Sequence, residues 1–172
     1  RLGMTEIPST VCEMTDEEAI VAMVDANLHR DHILPSEKAF AYKMKMDAMK
    51  HQGKALGQVG HKSRDTISET ESGRQIQRYI RLTHLIPPLL QKVDEGKIAL
   101  SPGVELSYLD EDTQQLVLDA MEREDCTPSF SQTVRMKQLY REGQLSMEVI
   151  NSIMAEQKAN QKEHIRIPKE RL

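Results

Sequence analysis

The stretch SGRQIQRYIRLTHLIP, Ser72 to Pro87, carries three arginines and no acidic residue. At 100° per residue, Arg74, Arg78 and Arg81 fall at about 0°, 40° and −20° around a helix axis, while Ile76, Tyr79 and Ile80 gather near the opposite side. The spacing predicts a short helix with one apolar and one cationic face. Like charges four apart repel by roughly 0.2–0.5 kcal/mol, and no carboxylate within the helix offsets this. Such a face is a solvated surface, a partner for the acidic Glu105–Asp125 segment of the same chain, or a contact for an external polyanion.

The charge pattern around the stretch favours the polyanion. The formal net charge of −4 hides an alternation: Glu13 to Glu37 holds seven acids and one base, Lys38 to Lys62 six bases and one acid, Ser72 to Lys92 four bases and no acid, and Glu105 to Asp125 eight acids and one base. The overall acidity therefore does not exclude nucleic acid, because positive potential is concentrated in the middle of the chain.

Over 172 residues, 38% hydrophobic and 29% charged content fit a soluble, mostly helical protein, and ten methionines against 3% aromatics predict adaptable, methionine-filled helix interfaces. No apolar run approaches the ~18 residues of a membrane span, and the N-terminus shows no signal-peptide pattern, so a cytoplasmic protein is expected. Cys12 and Cys126 are too isolated for a disulfide framework or a zinc site, and His29 with His32 lacks further ligands nearby, so no metal is expected.

Ile7 to Met14, IPSTVCEM, reads as one short strand. Thr15-Asp-Glu-Glu18 is a capping box opening a helix with Ala19, Ile20, Met23, Val24 and Leu28 in helical register. Leu34-Pro-Ser-Glu37 opens a second helix, with Ala39, Phe40, Met44, Met46 and Met49 apolar, which closes near Gly53. Gln52 to Lys62 holds three glycines and reads as a linker, followed by a short helix from about Ser63 to Thr70. Ser72-Gly-Arg-Gln75 is a second capping pattern, and the arginine-faced helix stops before Pro87-Pro88. Gly96 and Gly143 each end a helix, with Ser101 and Ser146 as the caps that follow. From Lys158 onward, five bases stand against two acids, a basic linker or tail.

Two short helices meeting at a tight turn, the second cationic, match a helix-turn-helix, whose second helix enters the major groove while the first crosses the backbone. In that geometry Lys62 and Arg64 contact phosphate, and Ser72 to Arg81 forms the reader. Arg74 and Gln75, at its N-terminal end, are the first candidates for base edges, followed by Gln77 and Arg78, since arginine pairs bidentately with guanine and glutamine with adenine. Gln75 has a competing role if its side chain returns to the Ser72 N–H. Arg81, one turn further on, suits phosphate.

At this point the sequence resembles the ParB family of bacterial chromosome and plasmid partition proteins. RLGMTEIPSTV is similar to the end of the family's arginine-rich motif and the strand after it, and ANLHRDHILPSEKAFAY to its ENLQREDLxPxExAxAY motif. The helix-turn-helix region ending RYIRLTHLIPPLL and the segment VDEGKIALSPGVELSYL follow in the family's order, so the resemblance spans roughly Arg1 to Met154.

The resemblance implies a mostly α architecture. Residues 1–50 would be the C-terminal part of an N-terminal, nucleotide-binding-like domain retaining one strand and helices, residues 51–155 an all-α helix-turn-helix DNA-binding domain, and residues 156–172 a basic linker or tail. It further implies dimeric binding to a palindromic, centromere-like duplex site, a ParA-type ATPase as partner, no membrane, and a nucleoid-associated location in the cytoplasm. Many family members bind CTP with magnesium and hydrolyse it slowly. The resemblance carries triphosphate or metal contact to Asn27 and phosphate contact to Arg30, chemistry open to a neutral oxygen donor and a guanidinium.

Departures from the pattern limit this. Ala26 stands where the motif has its glutamate and His29 where it has glutamine, and the turn between Ile67 and Ser72 is about two residues short of the family's usual length. The sequence starts after the arginine-rich phosphate loop and stops before the dimerisation domain, which implies a fragment. No enzymatic activity and no bound cofactor are therefore expected of this chain alone. A CTP-dependent clamp and a protein-interaction scaffold using the acidic Glu105–Asp125 surface are the alternatives to DNA binding.

Overall fold

Eight α-helices make up the regular structure of the described residues: α1 Asp16–Leu28, α2 Pro35–Ala55, α3 Gly73–Leu82, α4 Pro87–Asp94, α5 Leu100–Leu106, α6 Glu111–Arg123, α7 Phe130–Arg141 and α8 Met147–Ala155. The structure, a computed structural model, describes residues 6, 9–55 and 71–156. Two compact units divide the chain, Arg1–Ile80 and Arg81–Leu172. The mostly helical expectation holds. The strand expected over Ile7–Met14 does not form in its described part: residues 9–14 are irregular and exposed, with Val11 92% accessible. Among the described residues no strand lies alongside to satisfy its N–H and C=O groups, so its β-branched propensity is not realised.

In the first unit, α1 starts as its sequence dictates. The Thr15 hydroxyl accepts from the Glu18 N–H at 3.2 Å and the Glu18 carboxylate accepts from the Thr15 N–H at 2.8 Å, closing the capping box. α2 packs along α1. Leu34 N–H, just ahead of α2, donates to Glu37 at 3.0 Å. Between the two helices the mostly buried Lys45 ammonium donates to Asp25 at 2.5 Å, so the charge is neutralised where desolvation would otherwise be costly. Ile76 of α3 and Tyr42 of α2 form the centre of a cluster joined by Leu28, Met46, Met49, Tyr79 and Ile80. The α2 register differs in part from expectation. Ala39, Tyr42 and Ala48 are buried, whereas Phe40 and Met44 stand half exposed.

The second unit is built from α4 to α8, with α5 packed on α7 and α6 on α8. Leu89, Ile98, Leu106, Val117, Met136 and Ile150 fill its core. Gly96 and Gly143 adopt φ of +71° and +69°, and each anchors a reversal in which the next N–H reaches back to the last helical turn: Lys97 to Lys92 O at 2.9 Å and Gln144 to Leu139 O at 2.8 Å. Ser146 caps α8 as expected. Ser101 does not cap α5, because that helix already begins at Leu100 with Ala99 as its cap. Pro102 is tolerated there since first-turn N–H groups need no intrahelical partner. Gly103 matters for a different reason, close approach. A Cβ at this position would lie 3.0 Å from Val93 Cγ2 and 3.3 Å from Leu82 Cδ2.

Candidate nucleic-acid interface

α3 carries out the amphipathic plan of its sequence. Ser72 Oγ accepts from the Gln75 N–H at 3.3 Å, one half of the expected cap. The other half is absent from Gln75, whose side-chain oxygen accepts instead from Arg78 Nη1 at 3.2 Å. The i,i+3 spacing puts these two side chains on one face, and the longer guanidinium reaches the amide more readily than the amide reaches the backbone. Gln75 is thereby oriented beside an arginine. Gln77 lies toward α2, its amide 3.8 Å from Met46 Sδ. Ile76 is 1% exposed on the opposite side.

The three arginines differ in environment. Arg74 is exposed, and no ion pair among the described residues involves it. Arg78 is half-buried beside Gln75. Arg81, in the second unit, donates from Nε to Ser107 Oγ at 3.1 Å and from Nη2 to Ser107 O at 2.5 Å. Its guanidinium carbon also sits 4.2 Å from the Tyr108 ring centroid, a contact worth about 0.5–1 kcal/mol at a partly exposed ring. Ser107 is buried and passes its own hydroxyl proton to Val104 O at 2.7 Å. Arg81 thus meets the start of the acidic segment, as the intrachain alternative anticipated, but through a hydroxyl, a carbonyl and an aromatic ring.

Beside the start of α3, Glu71 accepts from Lys38 of α2 at 2.6 Å, and Lys38 also lies 5.3 Å from the Tyr79 ring centroid. The hydrogen bond to Glu71 raises the Lys38 pKa above its usual value, against the lowering effect of burial. Lys62 and Arg64, the proposed phosphate contacts of the preceding helix, and the basic tail lie outside the described residues.

Asn27 and Arg30 are brought together at the end of α1. Asn27 Nδ2 donates to Met23 O at 3.0 Å, and Arg30 Nη1 lies 3.5 Å from Asn27 Oδ1. Both border a pocket of about 390 Å³ that also includes Met23, His32, Phe40 and Met44. His29 Nδ1 is 2.6 Å from Asp25 O. Among the described residues no group of three or more His, Cys, Asp or Glu side chains is arranged to hold a metal ion. No described helix is long and apolar enough to cross a membrane.

Ser107 and Tyr108 were not legible as partners of α3, because nothing local marks a serine 26 residues away as an acceptor. The amphipathic helices and the cationic face of α3 define a helical protein with an accessible basic element. Two relatives carry this further. A probable chromosome 1-partitioning protein ParB from Deinococcus radiodurans is 32% identical over 99 residues, covering 58% of this chain and 31% of the relative. The chromosome-partitioning protein Spo0J of Thermus thermophilus is 29% identical over 96 residues, covering 56% of this chain and 32% of the relative. The chain is related to the ParB family of chromosome-partitioning proteins. It spans about a third of the length of these curated relatives. No family model and no solved structure matches it.

Proposed function

We propose that the chain is a sequence-specific duplex-DNA-binding module of a chromosome, plasmid or mobile-element partition protein, recognising a palindromic, centromere-like site. The observation that carries this is the N-terminal half of α3. Arg74 is exposed there, Gln75 and Arg78 are hydrogen-bonded side by side, and the apolar side is seated against α2. The names of the two relatives support the partition setting. In this reading Ser72, Arg74, Gln75 and Arg78 face the groove, Gln77 would have to leave Met46 to join them, and Lys62, Arg64 and Arg81 contact phosphate. Arg81 gives two of its five N–H donors to Ser107, which leaves three for a phosphate. Residues 51–155 form the DNA-binding domain, flanked by residues 1–50 and the basic 156–172 segment. A ParA-type ATPase is the protein partner, homodimers form in the whole protein, the location is cytoplasmic and nucleoid-associated, and the module itself catalyses no reaction.

Selection from random duplexes tests the reading. Enrichment of one palindrome is the expected result, and recovery of no common sequence contradicts it. Phosphate neutralisation makes the affinity fall steeply with salt.

A second reading, a CTP-dependent clamp with weak CTPase activity, is favoured by the meeting of Asn27 and Arg30 at one pocket. Calorimetry with CTP and magnesium separates the two, since absence of heat leaves DNA binding alone.

A further inference from the structure

A second helix of this chain is cationic and free of carboxylates. α7, Phe130–Arg141, contains Arg135, Lys137 and Arg141 and no acid. Arg135 is paired with Glu156 at 2.6 Å. Lys137 and Arg141, four apart and so on one face, both approach Tyr108, with the Lys137 ammonium 4.4 Å and the Arg141 guanidinium carbon 5.9 Å from its ring centroid. Arg81 lies 4.2 Å from the same centroid. Three cations around one ring repel one another, and the ring's negative face compensates only part of that.

The carboxylates around them are few and engaged. Glu105 pairs with Lys137. Asp110 accepts from the Thr113 N–H at 2.8 Å. Glu142, next to Arg141 in sequence, accepts from Gln138 Nε2 at 3.1 Å. None of these carboxylates is ion-paired with Arg141 among the described residues, and Arg141 and Tyr108 are exposed.

We infer that Tyr108, Lys137 and Arg141 form a second, sequence-independent contact that takes a backbone phosphodiester of the bound duplex. This rests on the proposal that the chain binds duplex DNA. With Lys137 already paired to Glu105, Arg141 is the cation left for an anion, and its guanidinium beside an exposed tyrosine offers both charge and hydrogen bonds to phosphate oxygens. Base edges are not read at this point. The contact contributes equally to every sequence.

The test is affinity for a random-sequence duplex over a range of salt, in the 172-residue chain and its Arg141→Ala and Arg141→Lys variants. Removing one phosphate contact should lower the slope of log K against log salt by about 0.9 and weaken binding roughly five- to tenfold near 0.1 M salt. Arg141→Lys should restore the slope, because phosphate accepts a point charge. An unchanged slope in Arg141→Ala, in a protein that still selects a palindrome, overturns this inference and leaves the DNA-binding reading intact. Loss of slope in Arg141→Ala without any selected palindrome upholds the contact and overturns the sequence-specific reading. If a polyglutamate peptide binds as tightly as duplex and loses that binding in Arg141→Ala, the surface belongs to an acidic protein partner and the inference falls.

Discussion

Gln114→Leu is expected to destabilise the second unit by about 2–3 kcal/mol, although leucine is similar in size and more hydrophobic. Gln114 is 1% exposed, and its amide satisfies three backbone groups at once. Its oxygen accepts from Ile86 N–H at 2.8 Å, at the cap of α4, and its nitrogen donates to His84 O at 3.0 Å and Leu109 O at 2.9 Å. Leucine fills the space but strands these groups, each buried one costing about 1–3 kcal/mol when unpaired. Burying the apolar side chain returns only part of that. The effect should appear in urea as a lower midpoint with an unchanged slope. A change below about 1 kcal/mol would show that solvent reaches these groups, and the side chain would then lose its role as the tie between the α3–α4 and α5–α6 turns.

Ile76→Ala should cost the first unit about 2–5 kcal/mol, the range for truncating a buried aliphatic side chain in a core that cannot collapse. Ile76 is 1% exposed at the centre of the cluster with Tyr42, Met46, Met49, Tyr79 and Ile80. The surrounding methionines are flexible enough to fill part of the cavity, which favours the lower half of the range. Ile76→Val, losing one methylene, should cost about 0.5–1.5 kcal/mol. Because the same residue seats the apolar side of α3, Ile76→Ala should also weaken duplex binding on every sequence while leaving preference intact. If thermal and denaturant unfolding of the alanine variant matched the parent, α3 would be held by something other than its apolar face.

Features set within one or two helical turns were readable from the sequence. The Thr15–Glu18 box, the reversals at Gly96 and Gly143 and the Ser146 cap all involve partners within six residues, and all appear in the structure. The two-faced character of α3 was readable for the same reason, since its period is intrinsic to the helix. Where local rules offered two outcomes, geometry chose between them. Gln75 pairs with Arg78 where a capping box was also available, and α5 starts ahead of Ser101 because Leu100 is drawn into the helix. Long-range chemistry left no local trace. The docking of Arg81 on Ser107 and Tyr108, the burial of Lys45 against Asp25 and the hydrogen bonds of Gln114 to Ile86 and His84 depend on residues 20 or more positions apart. The acid-free composition of α7 was visible in the sequence, but only the ring of cations around Tyr108 gives it a meaning.

Discrimination between bases is assigned to the exposed first turn of α3. It is tested most directly by titrating the parent and Arg74→Ala with the selected palindrome and with a scrambled duplex of equal length at one salt concentration. A bidentate arginine–guanine pair predicts a loss of about 1–3 kcal/mol on the palindrome and little change on the scrambled duplex. Equal losses on both would make Arg74 a phosphate contact and contradict the assignment of α3 as the reader.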